Sequence, residues 1–422
     1  MKKLYSIITL LIVSSLFAGC FSSQSTVKGL YYDPPGSTVT TDKTIELQHK
    51  RTFLFSSSDL YVSNEFEGAR LNDFFQVNDT LYKAVIEPEN SPINNSAWYA
   101  FKIWSHKKQK INIDLIYKNG THRYIPKLSY DKINWVSIDS ASYFPDTAKG
   151  TAMIKLNVGP DTLWISAQEL LTSNSYNVWI DKLANLPFVS KKIIGYSTYK
   201  KPIYELLITE SADTNKFVVL TGRQHPPEVT GALALKAFVE TITGNSELAK
   251  KYRKSFTTVV IPLVNPDGVD NGHWRHNAHG VDLNRDWHSF NQPETKAVNE
   301  ELLKLYRPPE KKIYFCCDFH STQEDVFYIM SKDSTLPEDK RYEFISSWFD
   351  GIHKIVPDYK INIDASLNDP SHPTSDEWMF NKLNSPALTY EMGDETNRSL
   401  IWNIAKAASE SLMNLLIKKN GE

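Results

Sequence analysis

The sequence predicts an all-β sandwich domain over residues 30–165, followed by an α/β domain over residues 166–422 with a mostly parallel mixed sheet and helices on both faces. The first part alternates short β-rich runs with turn signals and shows no long helical pattern. The second part alternates strand-like runs with long helical patterns, which is typical of helices that cover a mostly parallel sheet. With 422 residues, of which 41% are hydrophobic and 23% charged, the chain is long enough for two domains with hydrophobic cores.

The first residues of the chain resemble a bacterial export signal. Two lysines precede an apolar run of about 15 residues, which is too short to span a membrane comfortably. The run ends in LFAGC, where Cys20 resembles the lipidated cysteine of a bacterial lipoprotein, although Phe17 stands where leucine is commoner. We therefore expect a lipoprotein signal peptide over residues 1–19, a polar tether over residues 20–29, and a membrane-anchored protein that faces the periplasm. A plain cleavage site with an incidental cysteine is the alternative.

Five strand-like runs predict the β-sandwich part. They share β-branched and aromatic residues bounded by turn signals, and they are RTFLF (51–55), TLYKAVIEP (80–88), AWYAFKIW (97–104), INIDLIYKNG (111–120) and TAMIKLNVG (151–159). The tripeptide Lys118-Asn119-Gly120 predicts a β-hairpin turn after the fourth run, because Asn-Gly favours the positive backbone angles of such turns.

Four strand-like runs, each followed by a helical pattern, predict the second part. The runs are FVVLTG (217–222), TTVVIPLV (257–264), IYFCCDFH (313–320) and PALTYEM (386–392). After the first run, Pro226 and Pro227 suit the first turn of a helix, where a missing N–H costs nothing. His225 would then leave the end of the strand, and Glu228 would lie in the first helical turn.

Charge and cysteine content argue against two classes of protein. The formal net charge of −2 gives no general electrostatic reason to bind nucleic acid, so we expect no nucleic-acid partner. Cys316 and Cys317 are adjacent on one predicted strand, and neighbouring strand residues point to opposite faces. We therefore expect both cysteines in the core and no disulfide framework.

Polar side chains follow the ends of all four predicted strands of the second part. His225 and Glu228 follow the first strand, the segment 265–287 follows the second, and His320 and Glu391 end the third and fourth. In such folds, ligands bind at the carboxyl edge of the sheet. Two histidines and one glutamate with an open fourth position are the composition of a catalytic zinc site, whereas a structural zinc is closed by four ligands. The sequence therefore predicts a Zn²⁺ site at this edge.

These motifs, in this order, resemble the zinc carboxypeptidase (funnelin) family over residues 170–420, and the β-rich part before them is similar to the arrangement of cytosolic-carboxypeptidase-like members. The resemblance implies a role for seven residues. They are His225, Glu228 and His320 as zinc ligands, Arg275 as the group that polarises the scissile carbonyl, Asn284 and Arg285 as the pair that binds the substrate's terminal carboxylate, and Glu391 as the catalytic glutamate. Each side chain suits its role, since a carboxylate can move a proton and the planar fork of an arginine matches a carboxylate.

The leading hypothesis is a zinc-dependent metallocarboxypeptidase that hydrolyses the C-terminal residue of peptides by a zinc-activated water, with Glu391 as general base. Its partner would be a peptide substrate with a free C-terminal carboxylate. Two alternatives stay open: an amidohydrolase of the same fold that acts on a small N-acyl amino acid or a cell-wall peptide, and a catalytically dead lipoprotein that binds peptides or glycans. No tyrosine lies between Ile361 and Trp378, where many family members carry a mobile one, and Ser375 is expected to line the side-chain pocket.

Overall fold

The computed structural model describes Ser37 and residues 43–335, 338–366 and 372–421, with side chains up to residue 419 except that of Ser366. Cys20 and the predicted signal and tether lie outside the described residues, so these expectations stay predictions. Within the described ranges, no helix is both long and apolar enough to cross a membrane.

Eleven strands precede the first α-helix in the part of the chain that the structure describes. They are β1 (Thr52–Phe55), β2 (Leu60–Ser63), β3 (Asp73–Gln76), β4 (Leu81–Ile86), β5 (Ala100–Ser105), β6 (Gln109–Tyr117), β7 (Lys127–Ser129), β8 (Val136–Ser137), β9 (Tyr143–Asp146), β10 (Thr151–Val158) and β11 (Leu163–Ser166). One sheet has the order β1-β2-β5-β11-β7-β8 and the other has the order β3-β4-β6-β10-β9. Only β4 and β6 pair in parallel among these strands.

The two sheets pack face to face around one hydrophobic core, which confirms the predicted β-sandwich. Alternate residues of each strand point inward, as Ile111, Ile113 and Leu115 of β6 show. Val229 and Trp274 from the second part of the chain also belong to this core. The sandwich and the second part are therefore joined by shared packing as well as by the chain.

The hairpin predicted at Lys118-Asn119-Gly120 is wrong. Asn119 does adopt a positive φ of 57°, but β6 pairs with β4 and β10, and the following β7 lies in the other sheet. The turn passes the chain from one sheet to the other. A Cβ added to Gly120 would lie 2.4 Å from a ring carbon of Trp274, so glycine is needed for this close contact and the turn follows the tertiary packing.

Eight strands and eight α-helices form the second part within the described residues. The strands are β12 (Val189–Tyr196), β13 (Pro202–Ile208), β14 (Lys216–Gly222), β15 (Thr257–Ile261), β16 (Lys312–Thr322), β17 (Val326–Met330), β18 (Ile363–Ser366) and β19 (Ala387–Gly393). The helices are α1 (Ser173–Ala184), α2 (Val229–Ile242), α3 (Glu247–Arg253), α4 (Pro266–Asn271), α5 (Pro293–Leu305), α6 (Lys340–Ile355), α7 (Ser375–Lys382) and α8 (Arg398–Gly421). A short 3-10 helix covers Leu283–Arg285.

The eight strands form one mixed sheet with the order β12-β13-β15-β14-β16-β19-β17-β18. Four of its seven neighbouring pairs are parallel, including the central β15-β14-β16-β19 block, which confirms the predicted mostly parallel sheet. A core that includes α1, α2, α3, α6 and α8 covers one face, and a core that includes α5 and α7 covers the other. The helices therefore lie on both faces, as the sequence predicts.

Side chains of the central strands alternate between the two cores. Val218 and Leu220 point into one core, whereas Phe217 and Val219 point into the other. Cys316 and Cys317 follow the same alternation, and both are buried free thiols, as expected. Parallel pairing then brings the carboxyl ends of β14, β16 and β19 to one edge of the sheet.

Candidate metal and active site

Three predicted metal-ligating residues converge at this edge. His225 lies in the turn after β14, Glu228 caps the N-terminus of α2, and His320 lies near the end of β16. Potential ligand atoms of the three residues lie within 4.8 Å of one another, and all three side chains are buried. The Nδ1 atoms of His225 and His320 each lie 2.7 Å from an oxygen of Glu228. Glu228 precedes the helix by one residue, instead of lying in its first turn, because the two prolines form a turn before α2.

Gly231 explains how helix α2 can bring Glu228 so near to strand β16. A Cβ at Gly231 would lie 2.1 Å from the backbone oxygen of His320, which no side chain could tolerate without displacing the helix. The backbone N–H of Gly231 instead donates to the Ser321 hydroxyl over 2.8 Å. The glycine therefore sets the distance between the element that carries Glu228 and the strand that carries His320.

The second ring nitrogen of each histidine contacts a buried carboxylate. His225 Nε2 lies 2.9 Å from Asp282 Oδ1, and His320 Nε2 lies 2.9 Å from Asp318 Oδ2. These contacts fix the ring orientations so that both Nδ1 atoms face Glu228. Burial opposes ionisation of Asp282, but the charges of Arg275 and His225 hold its pKa well below its ordinary value.

The two aspartates are functional candidates that sequence reasoning missed. Asp318 precedes His320 by two positions on one strand, which is the spacing that places two side chains on the same face. Asp282 stands two positions before Asn284 in the DLNRDW motif. Both signals were present in the sequence, but neither identifies a partner histidine without the fold.

The donor set fits Zn²⁺. Two imidazole nitrogens and one carboxylate face a common point, and the Nδ1 atoms of the two histidines are only 3.2 Å apart. The second nitrogen of each imidazole contacts a carboxylate, which is the usual arrangement around zinc-ligating histidines. Burial opposes ionisation of Glu228, but the neighbouring imidazoles hold its pKa well below the ordinary value, so the carboxylate is available as a ligand.

Glu391 lies beside this cluster on the adjacent strand. It is the register partner of His320 in the parallel pair β16–β19. Its Oε2 atom is buried and has no hydrogen-bond partner among the described residues. Burial, followed by the charge of Glu228, raises the pKa of the Glu391 carboxyl to about 8. A carboxyl group with a pKa near neutrality is suited to taking up and releasing a proton.

The remaining predicted site residues lie between α4 and α5. Arg275 donates from Nε to Asp282 Oδ2 over 2.7 Å, and this contact links it to the histidine cluster. Asn284 is buried in the 3-10 helix, where its Oδ1 accepts from the backbone N–H of Ser375 over 2.8 Å. The neighbouring Arg285 is exposed, and its Nη1 donates to the Asn284 carbonyl over 2.9 Å.

Ser375, which was expected to line the side-chain pocket, is fully buried. Its hydroxyl donates to Asp318 Oδ2, and its backbone N–H contacts Asn284. Asp318 also accepts from Thr221 Oγ1 over 2.8 Å. Ser375 is therefore part of the hydrogen-bond network behind His320, and this connects the metal cluster with the segment that carries Asn284.

Comparison with known proteins gives an independent view of the same region. Residues 176–411, more than half of the chain, match the profile of the zinc carboxypeptidase family, Peptidase_M14. Cytosolic carboxypeptidase 6 of Mus musculus is 22% identical over 280 residues, which cover 61% of this chain and 52% of that protein. Cytosolic carboxypeptidase 3 of Bos taurus is 25% identical over 295 residues, which cover 62% of this chain and 29% of that protein. The chain therefore matches about half or less of the length of these relatives.

Two solved structures share the fold over most of the chain. The metallo-carboxypeptidase from Burkholderia cenocepacia is 17% identical with a TM-score of 0.71, and the match covers 86% of this chain and 100% of that chain. The metallo-carboxypeptidase from Pseudomonas aeruginosa, in complex with (2-guanidinoethylmercapto)succinic acid, is 16% identical with a TM-score of 0.70, covering 84% and 98%. Both matches cover more of this chain than residues 166–422 alone, so the fold similarity includes a share of the β-rich part.

Proposed function

Because this chain belongs to the zinc carboxypeptidase family, we propose that it is a zinc-dependent metallocarboxypeptidase that removes the C-terminal residue from peptides. One observation carries the proposal: a buried His-Glu-His donor set, with a carboxylate behind each imidazole, lies beside a partly exposed glutamate on the next strand. A metal with an open position beside a free carboxyl group is the arrangement that hydrolytic zinc enzymes require.

His225, Glu228 and His320 would hold the metal. When bound there, Zn²⁺ supplies Lewis-acid polarisation of a carbonyl and makes a water molecule more acidic. Glu391 takes the proton of the attacking water and passes it to the leaving amine, so that one carboxyl group serves both proton transfers. Burial raises the pKa of Glu391, which makes its carboxylate a better proton acceptor than an exposed glutamate.

Arg275 would stabilise the oxyanion that develops as the scissile carbonyl is attacked. Its Nε is already bonded to Asp282, so its guanidinium has a fixed anchor. Because Asp282 also contacts His225, one carboxylate orients both a ligand and the proposed oxyanion-stabilising group. This shared anchor supports the assignment of Arg275 to the same reaction centre.

Asn284 and Arg285 would bind the terminal carboxylate of the substrate. The guanidinium of Arg285 is exposed, and a planar guanidinium can pair with both oxygens of a carboxylate. The anchoring of Asn284 to Ser375 supports a fixed position for this pair. A free C-terminus would therefore be a requirement of the substrate.

The test uses purified, zinc-loaded protein and two peptides that differ only in a free or an amidated C-terminus, with products identified by mass spectrometry. We expect loss of the last residue from the free peptide and little cleavage of the amidated one. The control is Glu391→Gln, which keeps the side-chain shape and should lose about 10²–10⁴-fold in kcat while it retains zinc. Equal cleavage of both peptides would instead indicate an amidohydrolase or endopeptidase, and no cleavage by a folded, zinc-loaded protein would indicate a peptide- or glycan-binding protein.

A further inference from the structure

We propose that Glu89, a residue of the β-sandwich part, is a positioning residue that holds the Arg275 segment in its active geometry. The inference rests on the proposed function, in which Arg275 stabilises the oxyanion. In this inference, the β-rich part helps to form the reaction centre through a residue that follows β4.

The Glu89 carboxylate accepts hydrogen bonds from three consecutive backbone N–H groups. Oε2 accepts from Trp274 over 2.7 Å, and Oε1 accepts from Arg275 over 3.0 Å and from His276 over 2.7 Å. The side chain is fully buried, and the contacts join residues 185 to 187 positions apart in the sequence. One carboxylate therefore fixes the backbone on both sides of Arg275, a link that no local sequence pattern could reveal.

Further contacts from the sandwich immobilise the same segment. Asn90 Oδ1 lies 2.7 Å from His276 Nδ1, and the Trp274 indole donates to the Trp98 carbonyl over 3.0 Å. The Trp274 ring is fully buried in the sandwich core. Because its backbone is held in this way, Arg275 keeps only the freedom of its side-chain torsions. The hydrogen bond from Arg275 Nε to Asp282 restricts these torsions.

The charges and hydrogen bonds around Glu89 favour the ionised form of its carboxylate. Burial opposes the charge of Glu89, but the fields of His273, His276 and Arg70 and the backbone hydrogen bonds lower the pKa of Glu89 to about 2. A carboxylate has two acceptor oxygens and no donor, so it can satisfy all three N–H groups. A glutamine would turn one oxygen into an NH₂ group that faces at least one backbone N–H, which leaves a buried donor without a partner.

The test is a double-mutant cycle on the zinc-loaded enzyme with Glu89→Gln, Arg275→Ala and the double variant. If Glu89 acts through Arg275, Glu89→Gln should lower kcat about 10- to 100-fold with a smaller change in KM, because displacement of a transition-state group costs this much. In the Arg275→Ala background the same change should cost about twofold or less, since the group that Glu89 positions is gone. The control is Glu87→Gln, which removes only a partly exposed ion pair with Lys118 and should leave kcat unchanged.

A readout that does not depend on activity accompanies the kinetics. Hydrogen–deuterium exchange of the amides of residues 274–276 should be faster in Glu89→Gln than in the wild type and in Glu87→Gln. Glu89→Gln should melt at a somewhat lower temperature, because a buried donor loses its partner, and should stay folded at the assay temperature. Additive losses of kcat in the cycle, or unchanged exchange at these amides, overturn the inference while the proposed function stands. A folded, zinc-loaded wild type that cleaves no peptide overturns the proposed function, and the catalytic part of the inference falls with it.

Discussion

At the scale of single residues, the site depends on carboxylates that are not themselves ligands. Asp282 and Asp318 each fix one imidazole, and each also binds a second group of the site: Asp282 binds Arg275, and Asp318 binds Ser375. Each aspartate thus connects one of the two histidines with a second segment of the site. A substitution of either aspartate should lower the metal affinity before it unfolds the protein.

We expect Asp318→Asn to weaken zinc binding about 10- to 100-fold, because the amide removes the charge that orients and polarises the His320 ring. The side chain keeps its size, but its NH₂ group would face donors that now bond to Asp318, so the metal-free protein should also melt at a somewhat lower temperature. The measurement is a competition titration against a zinc chelator, with the partly exposed Asp146→Asn as the matched control. Zinc affinity equal to that of the wild type would show that Asp318 does not support His320.

At the scale of elements, the periodic patterns predicted the central strands and most helices, because these have consistent spacing over many residues. The strand predicted at 217–222 appears as β14, and the helical pattern from Pro293 appears as α5. Pairing between distant elements was not predictable in the same way. The turn after β6 has good hairpin chemistry, yet its contact with Trp274 sends the chain to the opposite sheet.

The same division holds for the site. The donors His225, Glu228 and His320 could be proposed from strand ends and a family resemblance, and the structure brings them together. Glu89 could not, because its contacts with the Arg275 segment span 185 or more residues and leave no local pattern. Motifs reveal groups that do chemistry, whereas the groups that hold them in place become visible only with the fold.

The contact between α2 and β16 gives a prediction for a whole element. Gly231→Ala should destabilise the protein by about 1–3 kcal/mol or more, because the added Cβ would overlap the His320 backbone and force the helix away. Since Glu228 caps this helix, zinc affinity should fall together with stability. Gly159→Ala is the control, as its nearest neighbour would lie at an ordinary 3.6 Å. Urea denaturation and zinc titration of both variants provide the measurement, and equal behaviour of the two would contradict the role of Gly231.

At the scale of the whole molecule, the β-sandwich is attached to the second part next to the site. Arg123 pairs with Asp394 at 2.8 Å, and Lys127 pairs with Glu395 at 2.6 Å, a few residues after Glu391. Together with the Glu89 contacts, these pairs connect the sandwich to the segments that carry Arg275 and Glu391. The sandwich therefore contributes to the geometry of the site at two segments.

The location of the molecule in the cell depends on residues outside the described ranges, and we propose that it is a lipid-anchored protein. The apolar run that ends in LFAGC motivates this proposal. Cys20→Ala should move the protein from the membrane fraction to the soluble periplasmic fraction of a bacterial host, because stable anchoring needs more than one acyl chain and these would be attached at this residue. Unchanged fractionation, or no acyl label on the wild-type protein, would contradict it.

The pH dependence of stability gives a last prediction, which concerns a partly buried histidine of the sandwich. His122 lies between the hydroxyls of Tyr117 and Tyr143, each 2.8 Å from a ring nitrogen, and burial lowers its pKa to about 4. The unfolded chain takes up a proton near the ordinary pKa of 6.5, whereas the folded protein does not until about 4. Between these values the unfolded state binds more protons, so His122 contributes stability above pH 6.5 that is lost as the pH falls towards 4.

His122→Gln removes this titration and keeps a side chain that can donate and accept. The variant should be less stable than the wild type at pH 7.5, since its contacts with the two hydroxyls are poorer. The difference in the free energy of unfolding between the two proteins should shrink on acidification by up to about 1.4 kcal/mol per pH unit between pH 6.5 and 4. The reason is that one proton is linked to unfolding only in the wild type. Urea midpoints at pH 7.5, 6 and 5 measure the gap, and a gap that stays constant or widens would show that the imidazole is not held neutral by its buried site.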